Sequence, residues 1–115
     1  MTTQISSNNI QPSTLDIIYI SGPKITSVQV ANGSYIATGG TTIGTTGGFA
    51  IINGSNFSSN INVVIGTALA STVTFVSSVR INIQVPALAV GNYIVYVTTT
   101  DNGKVAVKPN GITIV

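Results

Sequence analysis

The sequence contains no cysteine, no histidine and no glutamate, so its only carboxylate side chains are those of Asp16 and Asp101. The missing cysteines and histidines exclude a disulfide framework, a thiolate nucleophile, an imidazole base and the usual ligands of zinc, copper and haem. A glycosidase site with paired carboxylates would need both acids and would have no others to draw on. We therefore predict a protein that is not an enzyme and that has no metal site or other cofactor.

Charge is scarce as well: four basic and two acidic side chains give a formal net charge of +2 among 115 residues. The basic residues are dispersed, whereas phosphate binding normally needs several such charges clustered on one face. No apolar run approaches the roughly 20 residues of a transmembrane helix. The opening residues lack the charged and apolar regions of a signal peptide. We therefore expect neither nucleic-acid binding nor a membrane location.

Threonine, serine, asparagine, glycine and β-branched aliphatic residues make up most of the chain. Good helix formers are few and helical periodicity is missing, so the composition favours an all-β protein. Short apolar or alternating runs, bounded by glycine, asparagine and proline, predict strands at Lys24–Val30, Phe49–Ile52, Asn62–Ile65, Thr72–Val76, Arg80–Val85, Asn92–Thr98, Lys104–Val107 and Ile112–Val115. Seven or eight mostly antiparallel strands at this spacing predict an immunoglobulin-like β-sandwich.

Turn residues separate these strands. Asn102-Gly103 predicts a tight hairpin between the strands on either side of it. Asn53-Gly54 and Asn110-Gly111 predict further turns, and Pro86 is expected to end the strand before it because proline cannot donate to the ladder.

Residues 1–22 are expected to form an extended N-terminal arm in front of a domain at residues 23–115. The arm is polar, but apolar residues recur in it at intervals of five positions: Ile5, Ile10, Leu15 and Ile20. That interval fits neither a helix stripe nor a strand face. Two interpretations stay open: a flexible or extended leader with an accidental spacing, or an arm laid across a neighbouring subunit. In the second case the expected apolar anchors are Ile5, Ile10, Leu15 and Ile17.

A long insertion, Ala31–Gly48, separates the first two predicted strands, and its glycine- and threonine-rich second half predicts a mobile loop. Recognition in a sandwich is usually carried by loops, so this segment is a candidate binding loop. A tolerated surface insertion is the alternative. Tyr35 is the one aromatic side chain placed to face a ligand, and local packing is the alternative for it.

Five short motifs follow one another from Pro23 onward: Pro23–Val28, Gly47–Phe57, Val63–Gly66, Val85–Ala87 and Gly91–Tyr93. Their order and spacing resemble the IPT/TIG domain, an immunoglobulin-like module found in cell-surface receptors, transcription factors, bacterial surface proteins and phage structural proteins. The resemblance covers about residues 23–115. It implies a scaffold on which many partners are bound, so it indicates fold more than function. The stretch Ala31–Thr46 is longer than the usual link in that family.

A small chain with a charge-poor, extracellular composition and no visible signal peptide is typical of a virion protein, made in the host cytoplasm and displayed on the capsid surface. We therefore expect a phage capsid decoration (cement) protein, anchored by its arm to the major capsid protein or another virion protein. We also expect a homo-oligomer, with a trimer as the specific guess. A tail, baseplate or head-fibre component is the alternative within the class. Outside it, the alternative is an adhesion module for a host-surface glycan.

Overall fold

The computed structural model describes residues 22–100 and 103–115, which form an all-β immunoglobulin-like sandwich. Nine strands are present in this part of the chain: β1 Lys24–Ala31, β2 Thr42–Ile43, β3 Gly48–Ser55, β4 Ile61–Ile65, β5 Ala68–Leu69, β6 Thr72–Ser77, β7 Arg80–Val85, β8 Gly91–Thr99 and β9 Val105–Ile114. Across the same residues, no helix has the length and apolarity needed to cross a membrane.

The strands form two sheets. The first sheet has the order β1-β3-β7-β6 and the second sheet the order β2-β9-β8-β4-β5. All pairs are antiparallel except β2 with β9, which is parallel. Because side chains alternate along a strand, each sheet turns one set inward. Those inward sets build an aliphatic core whose largest fully buried members are Ile52, Ile65, Ile81, Ile83, Ile114, Val63, Val85, Val95 and Val97.

The structure confirms most of the predicted strands. β7 has the predicted bounds and ends immediately before Pro86, as expected. β8 and β9 pair antiparallel across the predicted hairpin. Phe57, from a motif of the family resemblance, is buried in the core just after β3.

The prediction of a turn at Asn53-Gly54 is wrong, because both residues lie inside β3. Glycine is needed at position 54 for a different reason. A Cβ atom there would collide with the Lys24 carbonyl of β1 and with the Phe57 ring. This glycine therefore permits a close approach between neighbouring strands, not a reversal of the chain.

The predicted turn at Asn110-Gly111 is also wrong, and the two strands expected around it are one strand, β9. The register between β8 and β9 jumps from Tyr93↔Ile112 to Val95↔Lys108, so the Asn110 region is a bulge. Asn110 has φ 52°, in the left-handed region that asparagine tolerates better than most residues. The pair therefore bends a continuous strand.

Candidate interaction surfaces

The insertion between β1 and β3 begins with a compact turn closed by Asn32. Its side-chain oxygen Oδ1 accepts hydrogen bonds from the backbone N–H groups of Ser34, at 2.9 Å, and Ile36, at 3.1 Å. Its own N–H donates to the Ile36 carbonyl, and its carbonyl accepts from the Tyr35 N–H. Tyr35 itself has φ 57°. The asparagine thus fixes the local fold of the candidate binding loop.

The turn lies on the outward side of the first sheet. The Tyr35 ring packs edge-on against the Phe49 ring, with centroids 5.5 Å apart and planes at 86°. The Arg80 guanidinium donates through Nη2 to the Tyr35 carbonyl at 2.8 Å and through Nε to Asn82 Oδ1 at 3.0 Å. Tyr35 is therefore held against the sheet by an aromatic contact and a charge-assisted hydrogen bond.

The outward side of the first sheet, here the polar face, is rich in amide and hydroxyl groups. Strand register brings together Ser27, Gln29, Asn53, Arg80, Asn82, Gln84, Thr72 and Thr74. Asn53 Nδ2 donates to both Gln29 Oε1, at 2.9 Å, and Ser27 Oγ, at 3.2 Å. Ile51 occupies the middle of this face and is only 3 % exposed. The face is thus a satisfied polar surface over one buried aliphatic side chain.

The second half of the insertion differs from the predicted mobile loop. Thr42 and Ile43 form β2, which pairs with Thr113 and Ile114 of β9. Ile43 is 4 % exposed and belongs to the core, and its carbonyl accepts a hydrogen bond from the Val115 N–H. The segment predicted to be a mobile loop therefore contains a strand, and it carries the chain from the first sheet to the second.

A cavity of about 280 Å³ lies beneath that crossing, between β1 and β9. Its walls include Val28 and Val30 of β1, Ile112 of β9, and Gly40 and Thr41 of the crossing segment. None of the described residues that line it has a titratable side chain. Threonine and asparagine side chains and glycine backbone stand among the lining residues beside the aliphatic ones, so the cavity offers both polar and apolar contacts.

The outward side of the second sheet, here the apolar face, has the opposite character. Its central row crosses four strands through direct register partners: Leu69, Val64, Tyr96 and Val107. Ile94 and Val105 extend it along β8 and β9. Leu69 is 66 % exposed and Val107 49 % exposed. At about 4.8 Å per strand the row is about 14 Å wide. Contiguous exposed apolar surface of this kind marks interaction sites in soluble proteins.

The first described residue, Gly22, lies close to the start of β9 and to the residue that follows β3. A Cβ atom built on Gly22 would lie 3.2 Å from Cδ of Lys104, the residue just before β9, so the two residues are close neighbours. The Gly22 carbonyl also accepts a hydrogen bond from Asn56 Nδ2 at 3.3 Å. The chain therefore enters the sandwich at the end of β1 that is opposite the insertion.

In a comparison with protein families, the model of the IPT/TIG domain matches residues 23–113. The chain belongs to the IPT/TIG family. Domains of this family are generally non-catalytic, immunoglobulin-like modules, so the protein is a binding or structural module. A search of curated proteins returned no match.

Of the predicted site residues, only Tyr35 falls within the part of the IPT/TIG chain that the structure describes. It is half-buried and packs locally on Phe49, the alternative considered for it. The other candidates lie outside the described residues: Ile5, Ile10, Leu15 and Ile17. Their role as anchors, and the division into an arm and a domain, stay predictions.

Both faces of this IPT/TIG domain were missed from the sequence as sites. The apolar face could be found from the alternating pattern of the strands once their register is known. Val64, Tyr96 and Val107 occupy outward positions on three neighbouring strands. The polar face leaves a weaker signal, since amides and threonines are ordinary on solvated strands. The contact between Arg80 and Tyr35 leaves no signal in the sequence, because the two residues are 45 positions apart.

Proposed function

We propose that this protein is a structural subunit of a phage virion, a capsid decoration protein anchored by its N-terminal arm. The observation that supports the proposal best is the difference between the two outward surfaces of the sandwich. One is an amide-rich face and the other an apolar row of Leu69, Val64, Tyr96 and Val107. A subunit that covers another protein needs both.

In this proposal the apolar face lies against the major capsid protein or another virion protein, and the polar face points to solvent. Specific interfaces have an apolar centre with aromatic residues enriched in it, which Tyr96 and its aliphatic neighbours would supply. The arm, which precedes Gly22, would add a contact of its own to that of the face. An arm of about 20 residues could add on the order of 1,000 Å² of interface.

The expected location is the capsid surface, after synthesis in the host cytoplasm. A tail, baseplate or head-fibre position would use the same two faces. Copies on a symmetric particle would be repeated, and a homo-oligomer, specifically a trimer, is expected to form through the arm. The function is stabilisation by burial and requires no catalytic group.

Native mass spectrometry of the full chain beside a version starting at Ser21 tests the role of the arm. A trimer or other oligomer that falls to monomers without the arm is the expected result. Replacing Ile5, Ile10, Leu15 and Ile17 together by serine in the full chain should have the same effect. An oligomer unchanged by either alteration would contradict anchoring by the arm.

Co-sedimentation with phage heads encoded by the same genome tests the virion role itself. The protein should bind saturably to the heads, and the double variant Leu69→Lys, Val107→Lys should bind at least tenfold more weakly. Val90→Lys is the matched control, because Val90 is 70 % exposed and lies outside both faces. Failure of the unaltered protein to bind heads or tails would reject the virion proposal.

A second candidate, an adhesion module for a host-surface glycan, is favoured by the composition of the polar face. Amide side chains both donate and accept, as sugar hydroxyls do, and a tyrosine can pack against a sugar ring. Tyr35→Ala and Gln84→Ala should each weaken saturable binding on a glycan array, whereas Ile36→Ala, an exposed neighbour, should not. No binding across a broad array would remove this candidate.

A further inference from the structure

The first sheet has two edges, and only one of them is protected within the described chain. At the β1 edge, Ala37 forms a bridge with Ala31, and the Thr38 N–H donates to the Val30 carbonyl at 3.0 Å. β1 also begins with Lys24 and has a register shift between Ile25 and Ser27. Charges, bulges and covering segments are the usual protections of a strand edge.

The edges of the second sheet are protected in other ways. β5 and β2 are only two residues long. The Ala70 N–H donates to the Val63 carbonyl, which continues the cover of β4 beyond β5. The length of β9 not covered by β2 contains Lys108 and Pro109, and its bulge follows directly. Proline and lysine on an edge oppose the addition of another strand.

β6 has none of these protections apart from one bulge. It pairs with β7 on one side, and nothing in the described residues pairs with its other side. Its six residues, Thr72–Ser77, include no charge, no proline and no glycine. Phe75 and Val76 are 37 % and 48 % exposed. The bulge falls between Phe75 and Ser77, so Thr72 to Phe75 keep a regular register.

We propose that β6 is a self-association edge, which pairs antiparallel with β6 of a second copy of this chain. Every other residue of an edge strand points its N–H and C=O away from the sheet, and antiparallel pairing satisfies them. A two-fold axis at Thr74 sets Thr74 opposite its own symmetry mate and Val73 opposite Phe75 of the partner, all within the regular part of the strand. The first sheet then continues from one copy into the other.

The distribution of charge favours a second copy of this chain as the strand that pairs with β6. The protein carries a net charge of +2, and pairing at the edges that carry Lys24 or Lys108 would bring like charges together. β6 pairing joins two uncharged edges, so it avoids that repulsion. The contact is small, below the roughly 1,200 Å² of stable complexes, so it forms at high local concentration. It is independent of the virion role and of the arm.

Single-cysteine variants of the full chain test the proposal cleanly, because the protein has no cysteine of its own. Directly opposite residues in an antiparallel pair have Cα atoms about 4.5 to 5.5 Å apart, within the range of a disulfide. On mild oxidation, Thr74→Cys should give covalent dimers at least fivefold faster than Val90→Cys, an exposed position away from β6. Equal rates for Thr72→Cys, Thr74→Cys, Val76→Cys and the control would overturn the proposal.

Hydrogen exchange and native mass spectrometry give a second measurement without cysteine. Amides of Thr72–Ser77 should become more protected as protein concentration rises. Val76→Lys should abolish that rise and the associated dimer, because Val76 lies in the bulge and can be charged without breaking a pair with β7. Val90→Lys should change neither. Protection that is independent of concentration would mean that the same chain covers β6, and would refute self-association.

Discussion

The two outward surfaces of this sandwich are built on the same kind of scaffold and differ in almost every other respect. The polar face carries amides, hydroxyls and Arg80 around one buried isoleucine, and its turn is bonded onto it. The apolar face carries Leu69, Val64, Tyr96 and Val107 in register, with large exposed fractions at both ends. An outward residue therefore contributes to stability according to how far it is buried, and not according to the side of the strand on which it lies.

Of the substitutions that test this comparison, Ile51→Ala should lower the free energy of unfolding most. Ile51 points outward yet is almost fully buried, so truncation leaves a cavity and should lower the free energy of unfolding by about 2–4 kcal/mol. Urea denaturation measures this value. Leu69→Ala, at an outward but exposed position, is the matched control and should change it by less than about 0.5 kcal/mol. Equal effects would remove the distinction between the two faces.

A smaller effect is expected from Arg80→Gln. The guanidinium makes two hydrogen bonds, to the Tyr35 carbonyl and to Asn82, and their loss should cost about 1–2 kcal/mol of stability. Amide exchange in the 32–36 turn should accelerate at the same time, which thermal unfolding alone would not reveal. Lys24→Gln, on an exposed lysine, is the control. Unchanged exchange would mean that Arg80 does not hold the turn.

The smallest effect on stability should come from Tyr96→Ser with Val107→Ser on the apolar face. Both residues are at least partly exposed, so the double variant should lose about 1 kcal/mol or less. The same variant should lose most binding of an apolar fluorescent dye, which titration measures. Dye binding that survives would show that the exposed apolar row is not an accessible surface.

Most of the fold could be predicted from the sequence because period-two patterns and turn residues are local signals. β7 and the β8–β9 hairpin followed directly from them. The errors share a cause. Asn53-Gly54 and Asn110-Gly111 have the composition of turns. In the structure the first pair allows a close approach between strands, and the second lies in a bulge. Composition does not distinguish these uses of glycine and asparagine.

The candidate surfaces were less predictable. Tyr35 could be singled out because it is the aromatic residue of the insertion. The structure packs its ring on Phe49, and its role toward a ligand stays a prediction. Its partner Arg80 could not be found, because a hydrogen bond to a backbone carbonyl leaves no trace in either residue type. β2 was missed since two residues in a glycine-rich stretch give no periodicity.

The sequence by itself determined which reactive side chains are present, since it contains no thiol and no imidazole. It also determined the class of fold, because its alternating aliphatic residues require a two-layer β core. Tertiary structure alone decided which outward residues lie together. Register aligned Leu69, Val64, Tyr96 and Val107 into one row. Among the described residues, the insertion covers one edge of the first sheet and no strand pairs with the outer side of β6. The physical reason is that strand pairing joins residues far apart in the chain, so a surface exists only once the sheets have formed.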